Sequence, residues 1–333
     1  MQGIIVVSNR PSRRTEYFQK AARELGVEVR FMTYEELDSR WPYVENAVVK
    51  LEPCVDTESD YLRYAQVNAA YRLLLRTLGE RPLPEGTRFL NSPAALLLAA
   101  DKLESKRCLQ RAGLRATPLV GTPSSFDELR SQLATCRRGC FLKPRYGSGA
   151  GGVMAIRYRA DSRSWTVYTA LQAVDGRVYN TKRIHRLTQE IDIALLAEAV
   201  IQTEALLEEW IPKSEWDGLS YDLRAVCRQN KVDYLVPRCS RGVITNLHLN
   251  NHAREWADVP LGFDVRQAVV NQSVQAGQTL GLHYAGIDLL VEKDTDTPYI
   301  IEVNGQGDHI YQDMFARNLI YTNQLKELSN HAD

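Results

Sequence analysis

Gly286-Ile287-Asp288-Leu289-Leu290 and, beyond a Thr-Asp-Thr-Pro turn, Tyr299-Ile300-Ile301-Glu302-Val303-Asn304-Gly305 are the stretch on which the reading of this chain turns. Both halves are nearly continuous apolar runs, the pattern of buried strands, and the turn between them makes a hairpin. Side chains alternate along a strand, so Glu302 and Asn304 point the same way and the return strand brings Asp288 beside them. A solvated outer face is the ordinary home of an Asp and a Glu, but a buried carboxylate without a counter-charge is costly. These acids are therefore read as ligands. Asp288, Glu302 and Asn304 supply hard oxygens that suit Mg²⁺, with Mn²⁺ as a substitute. Such an ion binds through one or two carboxylates and leaves its other positions to water and substrate phosphates.

Upstream, Cys140-Phe141-Leu142-Lys143-Pro144 reads as a short strand ending in a lysine. Gly147-Ser148-Gly149-Ala150-Gly151-Gly152 follows, with little side chain to keep its backbone N–H groups from closing around an anion, and Val153-Met154-Ala155-Ile156 resumes a strand. The lysine precedes the glycines and no Gly-Lys-Ser/Thr opens a helix, so this is neither a Walker loop nor a dinucleotide fingerprint. Strand, lysine, glycines and strand together read as a flap over phosphates.

These pieces, in this order, resemble the ATP-grasp superfamily from about Asn91 to Gly307. Asp101-Lys102-Leu103-Glu104-Ser105-Lys106 resembles the family's Asp-Lys helix, which implies that Lys102 reaches a nucleotide phosphate. Lys143 is similar to the second ATP lysine, with Gly147, Ser148, Gly149 and Gly151 in the flap. Leu207-Glu208-Glu209-Trp210-Ile211-Pro212 resembles the hinge strand whose backbone pairs with adenine, and Glu215 stands at the spacing of the ribose ligand. Tyr221-Asp222-Leu223-Arg224 is similar to the Asp-Ile-Arg strand of the branch that holds the ribosomal-protein S6 modification and glutathione synthetase-like ligases. Arg238 and Asn246-Leu247-His248 extend that likeness, and Asp288, Glu302 and Asn304 fall on the family's magnesium positions.

The pattern also breaks. Leu249-Asn250-Asn251 replaces the Arg-Gly-Gly that usually follows Asn-Leu-His, and Gly305-Gln306-Gly307-Asp308-His309 replaces the small-residue and Pro-Gly ending that borders the acceptor substrate. The identity of the substrate is not carried over.

The resemblance implies a fold: an α/β chain, α+β in the ATP-clasping part. Residues 1–92 form an N-terminal Rossmann-like layer, 93–205 a lid with the flap, and 206–333 the hinge and metal site. Local signals agree. Gly3 to Ser8 reads as a buried parallel-type strand, Ser12 to Leu25 as a helix stopped by Gly26, Val27 to Met32 and Ala47 to Leu51 as strands, and Thr57 to Leu78 as a long helix. Ser92-Pro93 opens a helix with a cap and a first-turn proline. Phe263 to Leu280 and Ile310 to Leu328 read as further helices.

Composition is compatible with a nucleotide enzyme. In 333 residues, Lys plus Arg and Asp plus Glu are both 41, so net charge gives no reason to expect a nucleic-acid partner. The longest apolar stretches, Gly3 to Val7 and Ala94 to Ala100, are too short to span a bilayer, and Met1-Gln2-Gly3 opens directly into a strand, so a cytoplasmic location is expected. Cys54, Cys108, Cys136, Cys140, Cys227 and Cys239 show no Cys-x-x-Cys pattern and read as reduced thiols. His248 and His252 have a zinc-like spacing, but Asn250-Asn251 between them reads as a turn. His185 and His309 stand in polar stretches expected near the cleft.

The chemistry that the resemblance implies is ligation. A substrate carboxylate attacks the γ-phosphate of ATP, giving an acyl phosphate and ADP, and an amine then displaces phosphate to form an amide. Arg224 and Arg238 are the expected stabilisers of the charge that develops, unless they are structural ion pairs with Asp222 or Asp233. The partners are a small-molecule or peptide carboxylate and an amine, and a homodimer is allowed. A kinase acting on a hydroxyl and a non-catalytic ATP binder are the other function classes; the Arg and Tyr residues of the first layer, Arg10, Arg13, Arg14, Arg63 and Tyr64, favour a carboxylate-bearing substrate.

Overall fold

The computed structural model describes residues 3–54, 59–245, 252–306 and 318–330. The N-terminal layer is a parallel four-stranded sheet in the order β2-β1-β3-β4, made by β1 (Gly3–Ser8), β2 (Val29–Thr33), β3 (Ala47–Leu51) and β4 (Arg88–Phe89). The continuous apolar runs of β1 and β3 follow from burial on both faces. Helix α1 (Arg13–Leu25) opens on a capping box between Ser12 and Thr15 and stops at Gly26, whose φ of 67° is left-handed. Helix α2 (Tyr34–Arg40) was not foreseen, although Thr33 and Glu36 form its capping box. The long helix α3 spans Tyr61–Glu80 from its Asp60 cap; the expected start at Thr57 lies outside the described residues.

Two helices, α4 (Pro93–Ala100) and α5 (Lys102–Arg111), follow a cap at Ser92 and share Asp101 between them, as the end of one and the N-cap of the next. The lid sheet runs β5-β10-β6-β7-β8-β9, from β5 (Leu119–Gly121), β6 (Cys140–Pro144), β7 (Met154–Arg159), β8 (Ser164–Val174), β9 (Arg177–Leu187) and β10 (Ala205–Glu209). Helices α6 (Phe126–Leu133) and α7 (Glu190–Ile201) bury Leu129, Leu133, Ile193 and Val200 in one core with Leu142, Ile156 and Leu207 of that sheet. The third sheet runs β14-β13-β12-β15-β16, from β12 (Leu219–Arg228), β13 (Lys231–Ser240), β14 (His252–Ala253), β15 (Tyr284–Val291) and β16 (Pro298–Asn304). A short β11 (Glu215–Trp216) pairs with β12, and α8 (Phe263–Thr279) packs on the sheet.

Strand β10, expected to open the third segment at Leu206, pairs antiparallel with β6 of the lid sheet. Helices α4 and α5 were placed with the lid, yet Leu96, Ala99 and Leu109 share a core with Ile287 and Ile300 of the third sheet and Val7 and Val49 of the first. The last helix, α9 (Leu319–Asn330), returns to the N-terminal layer, where Tyr321 and Leu325 pack with Ile4, Val6 and Phe18. Burial, not chain order, sets these affiliations. All six cysteines are free, and no described helix is long and apolar enough to cross a membrane.

Candidate active site

Lys143 is the next-to-last residue of β6, and Glu208 lies on β10 two residues beyond its direct partner Leu206, on the same face of the sheet. The Lys143 Nζ stands 2.8 Å from Glu208 Oε2, Lys106 Nζ stands 3.3 Å from Oε1, and Thr117 Oγ1 donates to Oε2 at 2.7 Å. Burial alone would push the Glu208 carboxyl up, but Lys106 and Lys143 outweigh it and hold it at about 2. Glu208 was expected to offer its backbone to adenine; its side chain is instead the shared counter-ion of two lysines. Lys106 was quoted only as part of the Asp-Lys helix. Its i, i+4 spacing from Lys102 placed both on one helix face, which is the signal that marked it.

Asp101 caps α5 through the N–H groups of Leu103 and Glu104 and accepts from Arg145 at 2.9 and 2.7 Å, which fixes the start of the flap. Next to it, the Lys102 ammonium donates to the Gly147 carbonyl. Burial pushes the Lys102 ammonium down, and Glu302 opposes that shift.

Strands β15 and β16 pair as the sequence implied, with Asp288 opposite Glu302 and Gly286 opposite Asn304. Arg224 is opposite Asp288 on the other side. Its guanidinium grips Asp288 through Nε and, at 3.2 Å, through Nη2; Arg238 Nη2 lies 3.1 Å from the same carboxylate and Arg238 Nε 2.6 Å from Asp222. Burial lifts Asp288 to about 6 against both arginines, with Glu302 adding to the rise. Glu302 is also pushed up by burial, but Lys102, Lys143 and Arg224 outweigh this and hold it below the usual range. Both arginines thus do make ion pairs, with Asp288 and Asp222, while Asp233 is taken by Arg228 at 2.6 Å.

Among the described residues no group of three His, Cys, Asp or Glu side chains could cage a metal. The donor set here is two carboxylates and an amide, too few for an all-protein cage but fitting an ion that completes its shell with phosphates and water. The Asn304 amide nitrogen faces Glu302 Oε1 at 3.3 Å and Gly286 O at 3.4 Å, so a ligand role for Oδ1 exchanges these two weak bonds.

One cavity of about 100 Å³ is lined by Lys102, Lys143, Glu208, Asp222, Arg238, Asp288 and Glu302 and roofed by Gly147, Ser148 and Gly151, while Lys106, Arg224 and Asn304 do not line it. Pockets that hold small molecules run to roughly 300–1,000 Å³, so the flap is down. At the far end Glu209 and Ile211 line the cavity and Trp210 does not. The N–H of Glu209 donates to Pro118 and that of Trp210 to Gly139, while the Trp210 ring packs against Phe141 and Arg157. The Glu209 and Trp210 N–H groups are thus already taken by neighbouring backbone. Glu215 is a correction: it sits on the edge strand β11, outside the cavity, with its carboxylate 2.9 Å from Lys293. Lys213 lines the cavity instead, 3.5 Å from Asp222 and 2.5 Å from Thr245 Oγ1. His185 lies on β9 beside α7, away from this cavity, and His252 is exposed on β14. Residues 246–251, with His248, and 307–309 lie outside the described residues.

No family model matches the chain. Over 221 residues it is 24% identical to the ribosomal protein bS6–L-glutamate ligase of Salmonella paratyphi B, an alignment that spans 66% of this chain and 60% of that protein. The solved ATP-grasp ligase PsnB complexed with minimal precursor superposes with a TM-score of 0.61 at 16% identity over 99% of each chain. D-alanine–D-alanine ligase from Bacillus anthracis complexed with ATP gives 0.55 at 15% identity, over 98% of this chain and 95% of that one. The chain has the fold of the ATP-grasp superfamily. Within that fold its sequence likeness is to the bS6–L-glutamate ligases.

Proposed function

We propose that this chain is an ATP-dependent ligase that joins a carboxylate to an amine and releases ADP and phosphate. The observation that carries the reading is that Asp288 and Glu302, paired across two strands, face Lys102 and Lys143 under a glycine flap in one cavity. Two carboxylates opposite two lysines fit a nucleotide polyphosphate with its cation. Magnesium bound at Asp288 and Glu302 would supply positive charge to the β- and γ-phosphates.

Lys143 and Lys102 then hold phosphate oxygens, Lys143 turning from Glu208, whose charge Lys106 and Thr117 continue to satisfy. A substrate carboxylate oxygen attacks the γ-phosphorus, the bond to the bridging oxygen breaks, and ADP leaves. The amine attacks the acyl carbon of the resulting acyl phosphate, phosphate departs with the carbon–oxygen bond's electrons, and the nitrogen loses a proton to form the amide. Arg224, which holds Asp288 and does not line the cavity, would have to turn from that carboxylate to meet the oxyanion. Arg238 is buried between Asp222 and Asp288 and orients them. Water would hydrolyse the acyl phosphate, which gives a closed flap its purpose. PsnB is solved with a precursor peptide, and the bS6 ligase is named for a ribosomal protein and glutamate. The carboxylate and amine here are accordingly small molecules or peptide groups.

The test is product analysis with pooled amino acids, amines and peptides in the presence of hydroxylamine. ADP together with a trapped hydroxamate or an amide is expected, and Glu302→Gln should lose this while keeping its fold. AMP among the products would overturn the reading; ADP with neither hydroxamate nor amide would give the site to a kinase.

A further inference from the structure

Tyr64, on the face of α3 turned to the flap, makes two hydrogen bonds to one residue. Its hydroxyl donates to the Ser148 carbonyl at 2.8 Å and accepts from the Ser148 N–H at 2.6 Å. Glycines make room for it: a Cβ on Gly147 would stand 2.1 Å from Tyr64 Oη, and one on Gly151 2.8 Å from Cζ. One turn earlier Tyr61 repeats the contact, 2.7 Å from where a Gly152 Cβ would be, and ties its hydroxyl to Thr203 at 2.7 Å. The start of the helix is fixed to the lid, since the Asn180 N–H donates to Ser59 at 2.7 Å and Asn180 Oδ1 accepts from Gly152.

This changes what the glycines are for. The sequence argued that they free backbone N–H groups for an anion, but the Ser148 N–H already donates to a tyrosine oxygen. A phosphate oxygen seeking that amide finds Tyr64 Oη in its place. Because the cavity under the flap is only about 100 Å³, a nucleotide enters only if the flap rises, and rising breaks both bonds to Tyr64.

We infer that Tyr64 is a positioning residue that latches the flap shut through Ser148 and competes with a nucleotide phosphate for the Ser148 N–H. The inference rests on the nucleotide reading of the cavity. A charged phosphate oxygen makes a stronger hydrogen bond than a neutral phenol, so the nucleotide wins the amide and Tyr64 is the group displaced. The latch belongs to α3 of the N-terminal layer, so a ligand that shifts this helix changes access to the flap.

The test compares Mg-ADP binding to the full chain and to Tyr64→Phe, which keeps the ring against Tyr61 and removes only the hydroxyl. Affinity should rise by about three- to tenfold, the worth of one ordinary hydrogen bond no longer competing. Unchanged or weaker binding in a folded Tyr64→Phe chain would overturn the latch. Amide exchange of the unmodified chain without nucleotide is an independent arm: the 145–152 segment should be protected, and more so than in Tyr64→Phe, whereas rapid exchange refutes the latch. Failure of the unmodified chain to bind Mg-ADP sinks the nucleotide reading instead, and the exchange arm then decides the Tyr64 contact by itself.

Discussion

Lys143 Nζ lies 2.8 Å from Glu208 Oε2, so the lysine that faces the flap is neutralised by a buried carboxylate before any phosphate arrives. Lys106 shares that carboxylate from the other side, at 3.3 Å. One anion between two cations lets one of them leave without stranding a buried charge, which is costly when a pair is simply broken.

The two lysines should therefore separate by measurement. Lys143→Met is expected to weaken Mg-ADP binding by tenfold or more, roughly 1.4 kcal/mol, with a small change in melting temperature. Lys106→Met should reverse the ranking and destabilise the fold by about 3 kcal/mol in urea titrations. Equal effects of both variants on binding would show that Lys106 also reaches the nucleotide.

Acid should expose the same cluster. Glu208 is held at about 2 when folded, against 4.5 for an unperturbed glutamate. A depressed carboxyl stabilises the fold fully above its unfolded value and loses that contribution as the pH falls through its folded one. The loss, on the order of 3 kcal/mol, is thus expected between about pH 4.5 and 2. Melting temperature followed over that range should fall less steeply in Glu208→Gln, which starts less stable.

Glu215 makes the opposite forecast to the one its spacing suggested. Its side chain is about half exposed and pairs with the equally exposed Lys293, and such pairs contribute little. Glu215→Ala should leave ATP affinity and the ratio of ATP to 2′-deoxy-ATP unchanged within about twofold. A clear drop in that ratio would return the ribose to Glu215.

Gly152 tests the fit of α3 against the flap. Its φ of 74° disfavours any side chain, and a Cβ there would lie 2.7 Å from Tyr61 Cε2. Gly152→Ala is expected to cost about 1–3 kcal/mol of stability and to raise amide exchange in the flap. Wild-type exchange in a stable variant would argue that Tyr61 yields without disturbing the flap.

Local chemistry made much of this protein legible from sequence. The apolar runs fixed β1, β3, β6 and β15, because buried strands must be apolar whatever they pair with. Ser12 and Gly26, or Ser92 and Pro93, marked helix ends because their hydrogen bonds and dihedral angles are settled within a few residues. The acids at Asp288 and Glu302 stood out because such runs otherwise exclude charge, and a hairpin has only one way to bring them together. Strand β9 was invisible for the converse reason: Arg177–Leu187 has few apolar side chains and is a strand only through its pairing with β8.

What the sequence could not supply is which partner a charge or a backbone group finds when several are within reach. Glu208 and Glu209 are neighbours of one residue type, yet strand alternation buries the first between two lysines and leaves the second at the cavity wall. Arg238 lies between Asp222 and Asp288 only because β13, β12 and β15 stand side by side. The glycine flap shows the division most plainly. Its composition determined that a backbone could come close to something, since a missing Cβ is a property of the residue alone. That Tyr64, 84 residues earlier, is what comes close was decided by the docking of α3 against the lid, a contact paid for by burial across the whole interface rather than by any local motif.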